Sequence, residues 1–121
     1  MAEYEHIIVD RPLEGVARIT LNRPESRNAL NNTLRGEIYS TLEAHDLDDE
    51  IRVTIIRGAG KAFCAGYDLK GNNNENRPYH TAGGDGSWAR HVVEGAFRVW
   101  DLAKPVIAQV TATALPAAQN S

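Results

Sequence analysis

The chain has 121 residues, 42% of them apolar and 24% charged, and a formal net charge of -3. These numbers fit one small soluble domain. They exclude wholesale disorder, a membrane span of roughly 20 apolar residues, and a nucleic-acid binder built on a basic stripe. The opening Met1-Ala2-Glu3-Tyr4-Glu5-His6 is acidic and polar, unlike a secretory leader, and the lone Cys64 allows neither an internal disulfide nor a zinc cluster, so a cytoplasmic location is expected.

Tyr4 to Asp10 and Val16 to Leu21 are rich in β-formers, and Arg11-Pro12-Leu13-Glu14-Gly15 between them carries turn residues, which predicts a hairpin. Pro24 stops the second strand in the polar loop Asn22 to Arg27. Asn31 or Asn32 caps the next element, where Leu34, Ile38 and Leu42 at i, i+4 and i+8 give one apolar helical stripe that fades near Asp46. Ile51 to Ile56 reads as a buried strand, closed by Gly58-Ala59-Gly60. Gly71 to Gly86 reads as a surface loop. A helix capped by Ser87 is expected from Trp88 to about Ala103, with so wide an apolar face that burial is predicted, and Trp88, Phe97 and Trp100 read as core. Val106 to Val110 is a last short strand, and Thr111 to Ser121 shows no periodicity and no charge. Strands separated by helices predict an α/β fold with parallel pairing.

Most other polar residues invite plain readings. Asp46, Asp48, Asp49 and Glu50 read as a solvated helix end. His6, His45, His80 and His91 lack metal-ligand spacing and read as surface residues, and no metal site is expected. Cys64 reads as packed rather than reactive. Gly58-Ala59-Gly60 resembles the start of a dinucleotide loop, but Phe63 stands where a third glycine is needed.

Lys61 to Lys70 is the unusual stretch. It follows a strand and holds small residues, Ala65 and Gly66, that let a ligand approach the backbone. Backbone N–H groups opening a helical turn have no intrahelical partner and are able to hold a developing oxyanion. A plain strand-to-helix turn, with Gly66 for the bend and Asp68 as cap, is the other local reading.

Four motifs in register decide between them: Leu21-Asn22-Arg23-Pro24, Asn28-Ala29-Leu30, the run from Gly58 to Leu69, and Lys104-Pro105-Val106-Ile107-Ala108. Together they closely resemble the N-terminal half of the crotonase family, the enoyl-CoA hydratases and isomerases, from about Tyr4 to Val110. The resemblance implies a crotonase-like ββα spiral, cut after its first turns, and acyl-CoA chemistry without a metal or a separate cofactor, coenzyme A being part of the substrate. It makes the N–H of Tyr67 one oxyanion-hole donor. Many relatives have Ala there, so the Tyr67 ring is expected to crowd the acyl pocket. The carbonyls of Ala65 and Leu69 match positions that accept from the adenine amine. Arg27 and Ala29 match the segment along pantetheine and phosphates, with a solvated loop cation as the other reading of Arg27. Asp68, among the residues expected to bind substrate, is expected to cap or help orient the loop. Family members assemble as homotrimers or hexamers; neither nucleic acid nor membrane is an expected partner.

The pattern breaks after Val110. The family continues with a segment like H-G-Y-C-x-A-G-G-T-E-L, which supplies a second oxyanion N–H and a catalytic Glu. Thr111-Ala112-Thr113-Ala114-Leu115-Pro116-Ala117-Ala118-Gln119-Asn120-Ser121 contains neither glycine nor acid. With suitable synonymous codons, H-G-Y-C-A-A-G-G-T-E-L loses one base and becomes this tail in full. Residues 1–110 are therefore expected to be the N-terminal part of a crotonase-like domain, and 111–121 a frameshift product. The polypeptide would then be inactive. A partial CoA-binding module and a non-catalytic interaction subunit are the other readings.

Overall fold

A computed structural model describes residues 4–67 and 87–110. Strand β1 (Ile7–Leu13) pairs antiparallel with β2 (Val16–Leu21); helix α1 (Asn32–Leu47) leads to β3 (Val53–Gly58), and helix α2 (Ser87–Trp100) precedes β4 (Val106–Gln109). β2, β3 and β4 are parallel, and the sheet order is β1-β2-β3-β4. This is the α/β fold with a hairpin start that the sequence predicts.

The hairpin turn is tighter than expected. β1 runs on to Leu13, leaving Glu14 and Gly15 as the turn, with Gly15 at φ +78°. Pro12 is tolerated inside β1 because that strand is a sheet edge and the register shifts between Asp10 and Leu13, so no ladder N–H is required of it. β3 also starts later than expected. Ile51 is buried, but it precedes the strand, with its N–H on the carbonyl of Asp48.

Alternation sets the two faces of the sheet. Ala17, Ile19 and Leu21 of β2 are buried and face α1. Ile7, Ile19 and Leu21 pack with Leu34, Ile38 and Leu42, the stripe read from the sequence. Each such side chain contributes roughly 1.5–3 kcal/mol when fully buried. On the other face Arg18 forms a two-pronged pair with Asp10, and Arg57 Nε donates to Thr20 Oγ1 at 2.9 Å. Asn31 caps α1, its side chain accepting the N–H of Leu34 at 2.7 Å.

The acidic end of α1 is more than a solvated face. The Asp46 carboxylate accepts the N–H groups of Ala103 and Lys104, at 3.1 and 3.0 Å. Lys104 Nζ returns to the carbonyls of His45 and Asp48, where a cation meets the negative end of the helix. Asp48 also pairs with Arg11 at 2.8 Å. These contacts lock the turn before β4 onto α1.

The second helix corrects two expectations. It is not wholly buried: Phe97 is 58% and Trp100 82% exposed, so neither is core among the described residues. Its inward side carries His91, which is 0% exposed and not a surface residue. Val99, Leu102 and Val106 pack against the core from this part of the chain. Ile107 and Val110, at the open edge of the sheet, are also exposed. The apolar face of α2 is thus only partly covered: among the described residues Val99 packs inward while Val93, Phe97 and Trp100 stay exposed. The readings of Trp88 as core and of His80 as exposed, the Gly71 to Gly86 loop and Thr111 to Ser121 lie outside the described residues or side chains. Among the described residues no helix is long and apolar enough to cross a membrane.

Candidate functional site

Two loops meet beyond the carboxyl ends of β2 and β3, the end of a parallel sheet where α/β proteins place ligands. The first leaves Leu21, makes a 3-10 turn at Pro24–Ser26 and turns sharply at Arg27 and Asn28, both left-handed with φ of 52° and 57°. The second leaves Gly58 and runs to Tyr67.

Asn28 joins them. It is fully buried, and Asn is among the side chains that tolerate left-handed backbone. Its Oδ1 accepts the Arg23 N–H at 2.8 Å, and its Nδ2 donates to the carbonyls of Ala59 and Ala62, at 3.0 and 2.9 Å. The backbone packs so closely here that a Cβ on Gly58 would lie 2.4 Å from the Ala62 carbonyl oxygen and 2.5 Å from that of Phe63. Arg23 Nη1 adds a bond to the carbonyl of Ala29.

With that clamp set, the two loops run side by side. The Ala65 N–H donates to the Arg27 carbonyl at 3.0 Å and the Leu30 N–H to the Gly66 carbonyl at 2.7 Å. Leu30 and Tyr67 form a parallel bridge. In a parallel bridge of this sense, the N–H and C=O of Tyr67 turn to the edge away from Leu30. Gly66, at φ +94°, needs its glycine for the bend, and among the described residues other than its chain neighbours nothing lies within 4 Å of a Cβ placed on it.

The side chains around this backbone are mostly apolar or aromatic. Cys64 is half-buried against the core, as read from the sequence, and its Sγ accepts the Gly66 N–H at 3.4 Å. The Tyr67 ring is 42% exposed and faces the Arg35 guanidinium at 5.8 Å, so it leans on α1. Burial raises the Tyr67 phenol above its ordinary 10.0, the neighbouring Tyr39 adds to this and Arg35 opposes it.

Of the residues picked from sequence, Arg27, Ala29, Ala65 and Tyr67 are brought together, while Asp68 and Leu69 lie outside the described residues. Arg27 takes part through its carbonyl, and its side chain is exposed. Sequence reasoning missed Arg35 and gave Asn28 no physical role. An Arg–Tyr pair at i, i+4 beside the Leu34 stripe was the available signal for the first, and an Asn between a turn and a helix cap for the second. Among the described residues no cluster of His, Cys, Asp and Glu is able to hold a metal. A separate open cleft, lined by Arg11, Glu14, Asp49 and Arg52, sits at the opposite end of β2 and β3.

The arrangement has clear relatives. A family model described as enoyl-CoA hydratase/isomerase matches residues 12–118. The enoyl-CoA hydratase EchA19 of Mycobacterium tuberculosis is 35% identical over 97 residues, which is 80% of this chain and 36% of that protein. The 1,2-epoxyphenylacetyl-CoA isomerase of Escherichia coli is 42% identical over 60 residues, 50% of this chain and 23% of that one. Among solved structures, an enoyl-CoA hydratase/isomerase from Xanthobacter autotrophicus Py2 superposes with a TM-score of 0.71 at 41% identity, covering 89% of this chain and 39% of that one. The enoyl-CoA hydratase of Bacillus anthracis gives 0.71 at 32% identity, covering 89% and 40%. The chain therefore spans about two-fifths of the length of these solved relatives, and it belongs to the enoyl-CoA hydratase/isomerase, or crotonase, family.

Proposed function

We propose that this chain carries the CoA-binding and first oxyanion half of an acyl-CoA site. The N–H of Tyr67 faces the thioester oxygen. Arg27 and Ala29 run along the phosphates and pantetheine, the carbonyls of Ala65 and Leu69 receive the adenine amine, and Asp68 orients the loop. Coenzyme A arrives as part of the substrate, and no separate cofactor is required. The observation that carries this reading is the pairing of Arg27 to Leu30 with Ala65 to Tyr67, which sets the two site loops side by side beyond the carboxyl ends of β2 and β3.

Hydration of a 2-enoyl-CoA adds hydroxide to Cβ and a proton to Cα through an enolate whose charge rests on the thioester oxygen. A pair of aimed N–H donors stabilises that oxygen, and a carboxylate moves the protons. Thr111 to Ser121 offers neither a glycine nor an acid where the family places the second donor and the first Glu. A polypeptide of these 121 residues alone is therefore expected to bind without turnover. Loss of one base after the Val110 codon accounts for that tail, and the gene sequence tests it directly: a downstream shifted frame must encode the rest of a crotonase.

Calorimetry with CoA and acetyl-CoA, beside an absorbance assay of a 2-enoyl-CoA, tests the function. Saturable binding without turnover is expected. Turnover by protein freed of host hydratases overturns the inactivity, and absence of CoA binding overturns the site. The exposed Phe97, Trp100 and Ile107 favour one second reading, a non-catalytic subunit that associates with longer relatives in their trimers or hexamers. Co-elution with such a relative, without CoA binding, would select it.

A further inference from the structure

Arg35 is 1% exposed, an unusual place for a guanidinium, and it stands beside the apolar stripe of α1 rather than on the helix's outer face. Its Nη1 donates to Asn32 Oδ1 at 3.1 Å, which ties the group to the first turn of its own helix. Its guanidinium carbon lies 5.6 Å from the ring centroid of Tyr39 and 5.8 Å from that of Tyr67. Both distances fall inside the range in which a cation is attracted to an aromatic face. Tyr39 is one turn further along α1, whereas Tyr67 belongs to the candidate site loop. A planar, weakly hydrated cation is suited to this double contact in a way that an ammonium is not.

We propose that Arg35 is a positioning residue for the Tyr67 amide: by holding the Tyr67 ring between the loop and α1, it fixes the peptide that carries the candidate oxyanion N–H. The inference rests on the reading of that N–H as the donor. A backbone donor stabilises an oxyanion only if its direction is set before the charge develops. The Leu30 bridge fixes one edge of this segment and Arg35 fixes the side chain.

The test is nitrogen-15 relaxation on the full 121-residue chain. Tyr67 is expected in the rigid range, with an order parameter near about 0.85, falling below about 0.6 in Arg35→Met while β2 and β3 hold theirs. Arg35→Lys, which keeps the charge and loses the plane, is expected between the two. Unchanged order at Tyr67 in Arg35→Met overturns the proposal. So does a loss shared equally by β2, which would mark a residue that only holds the fold. If Arg35→Met does not fold, Tyr67→Leu probes the same contact from its exposed side, and wild-type order at residue 67 in that variant overturns the proposal. Addition of acetyl-CoA to the wild type is expected to shift the Tyr67 amide resonance. No shift, with Tyr67 order still lost in Arg35→Met, defeats the proposed function and leaves the Arg35 hold on the loop standing.

Discussion

Replacing Asn28 with alanine removes the clamp between the two site loops, and its cost follows from the geometry. Three hydrogen bonds disappear, from Arg23 N–H and to the carbonyls of Ala59 and Ala62. At about 1 kcal/mol net each, they account for about 3 kcal/mol. Position 28 also has φ 57°, and alanine there adds about 1 kcal/mol of left-handed backbone strain. Water reaching the released carbonyls recovers part of the first term, so Asn28→Ala is expected to lose about 3–4 kcal/mol of a total near 5–15. At about 3–6 °C per kcal/mol for a domain of this size, the melting midpoint followed by circular dichroism falls by at least about 9 °C. Asn28→Gly keeps the left-handed backbone without strain and loses only the bonds, so it should melt about 3–6 °C above Asn28→Ala. A midpoint for Asn28→Ala within a few degrees of wild type refutes the clamp. Equal midpoints for the alanine and glycine variants refute the strain component.

Gly58→Ala drives a methyl group into the carbonyl oxygens of Ala62 and Phe63, so at least about 3 kcal/mol should be lost and denaturant midpoints should show it. His45 is pushed below its ordinary 6.5, first by burial, then by Arg11 and Lys104 against the opposing pull of Asp48, and its Nδ1 lies 3.0 Å from Thr54 Oγ1. Its neutral form is the folded one, so stability is full above pH 6.5 and declines as pH falls from 6.5 toward the lowered folded value; His45→Gln should flatten that decline. Asp10, held low chiefly by its bond to Arg18, and Asp48, held low chiefly by the Glu50 N–H, act further down: their contribution is present above 3.8 and is lost as pH falls below it. Asp10→Asn should remove part of this acid step and leave the His45 step unchanged. The exposed Phe97 and Trp100 are expected to drive self-association visible in light scattering; Phe97→Ser with Trp100→Ser should sharply reduce it while changing stability by less than about 1 kcal/mol.

How much of this was legible in sequence depends on the range of each interaction. The Asn31 cap and the Leu34, Ile38, Leu42 stripe are local patterns that stand where their spacing places them, and the hairpin forms as expected, with its turn tightened to Glu14 and Gly15. Periodicity shows that α2 has an apolar face but is silent on what covers it, so Phe97 and Trp100 were placed in a core that the described chain does not close over them. The acidic end of α1 misled for a related reason: Asp46 finds its donors at Ala103 and Lys104, 57 and 58 residues away, and no local pattern records such a bond. The site divides in the same way. The glycines and small residues of the Gly58 to Gly66 run mark close backbone approach, and the structure places them where two loops touch. Asn28 and Arg35 act through partners more than thirty residues away, Ala62 for one and Tyr67 for the other, so their roles became visible only when the loops were brought together. The same logic lets the proposed donor at residue 67 survive an unusual side chain. The amide is supplied by the backbone whatever residue stands there, while the ring must be accommodated separately, and the buried cation on α1 is the group that accommodates it.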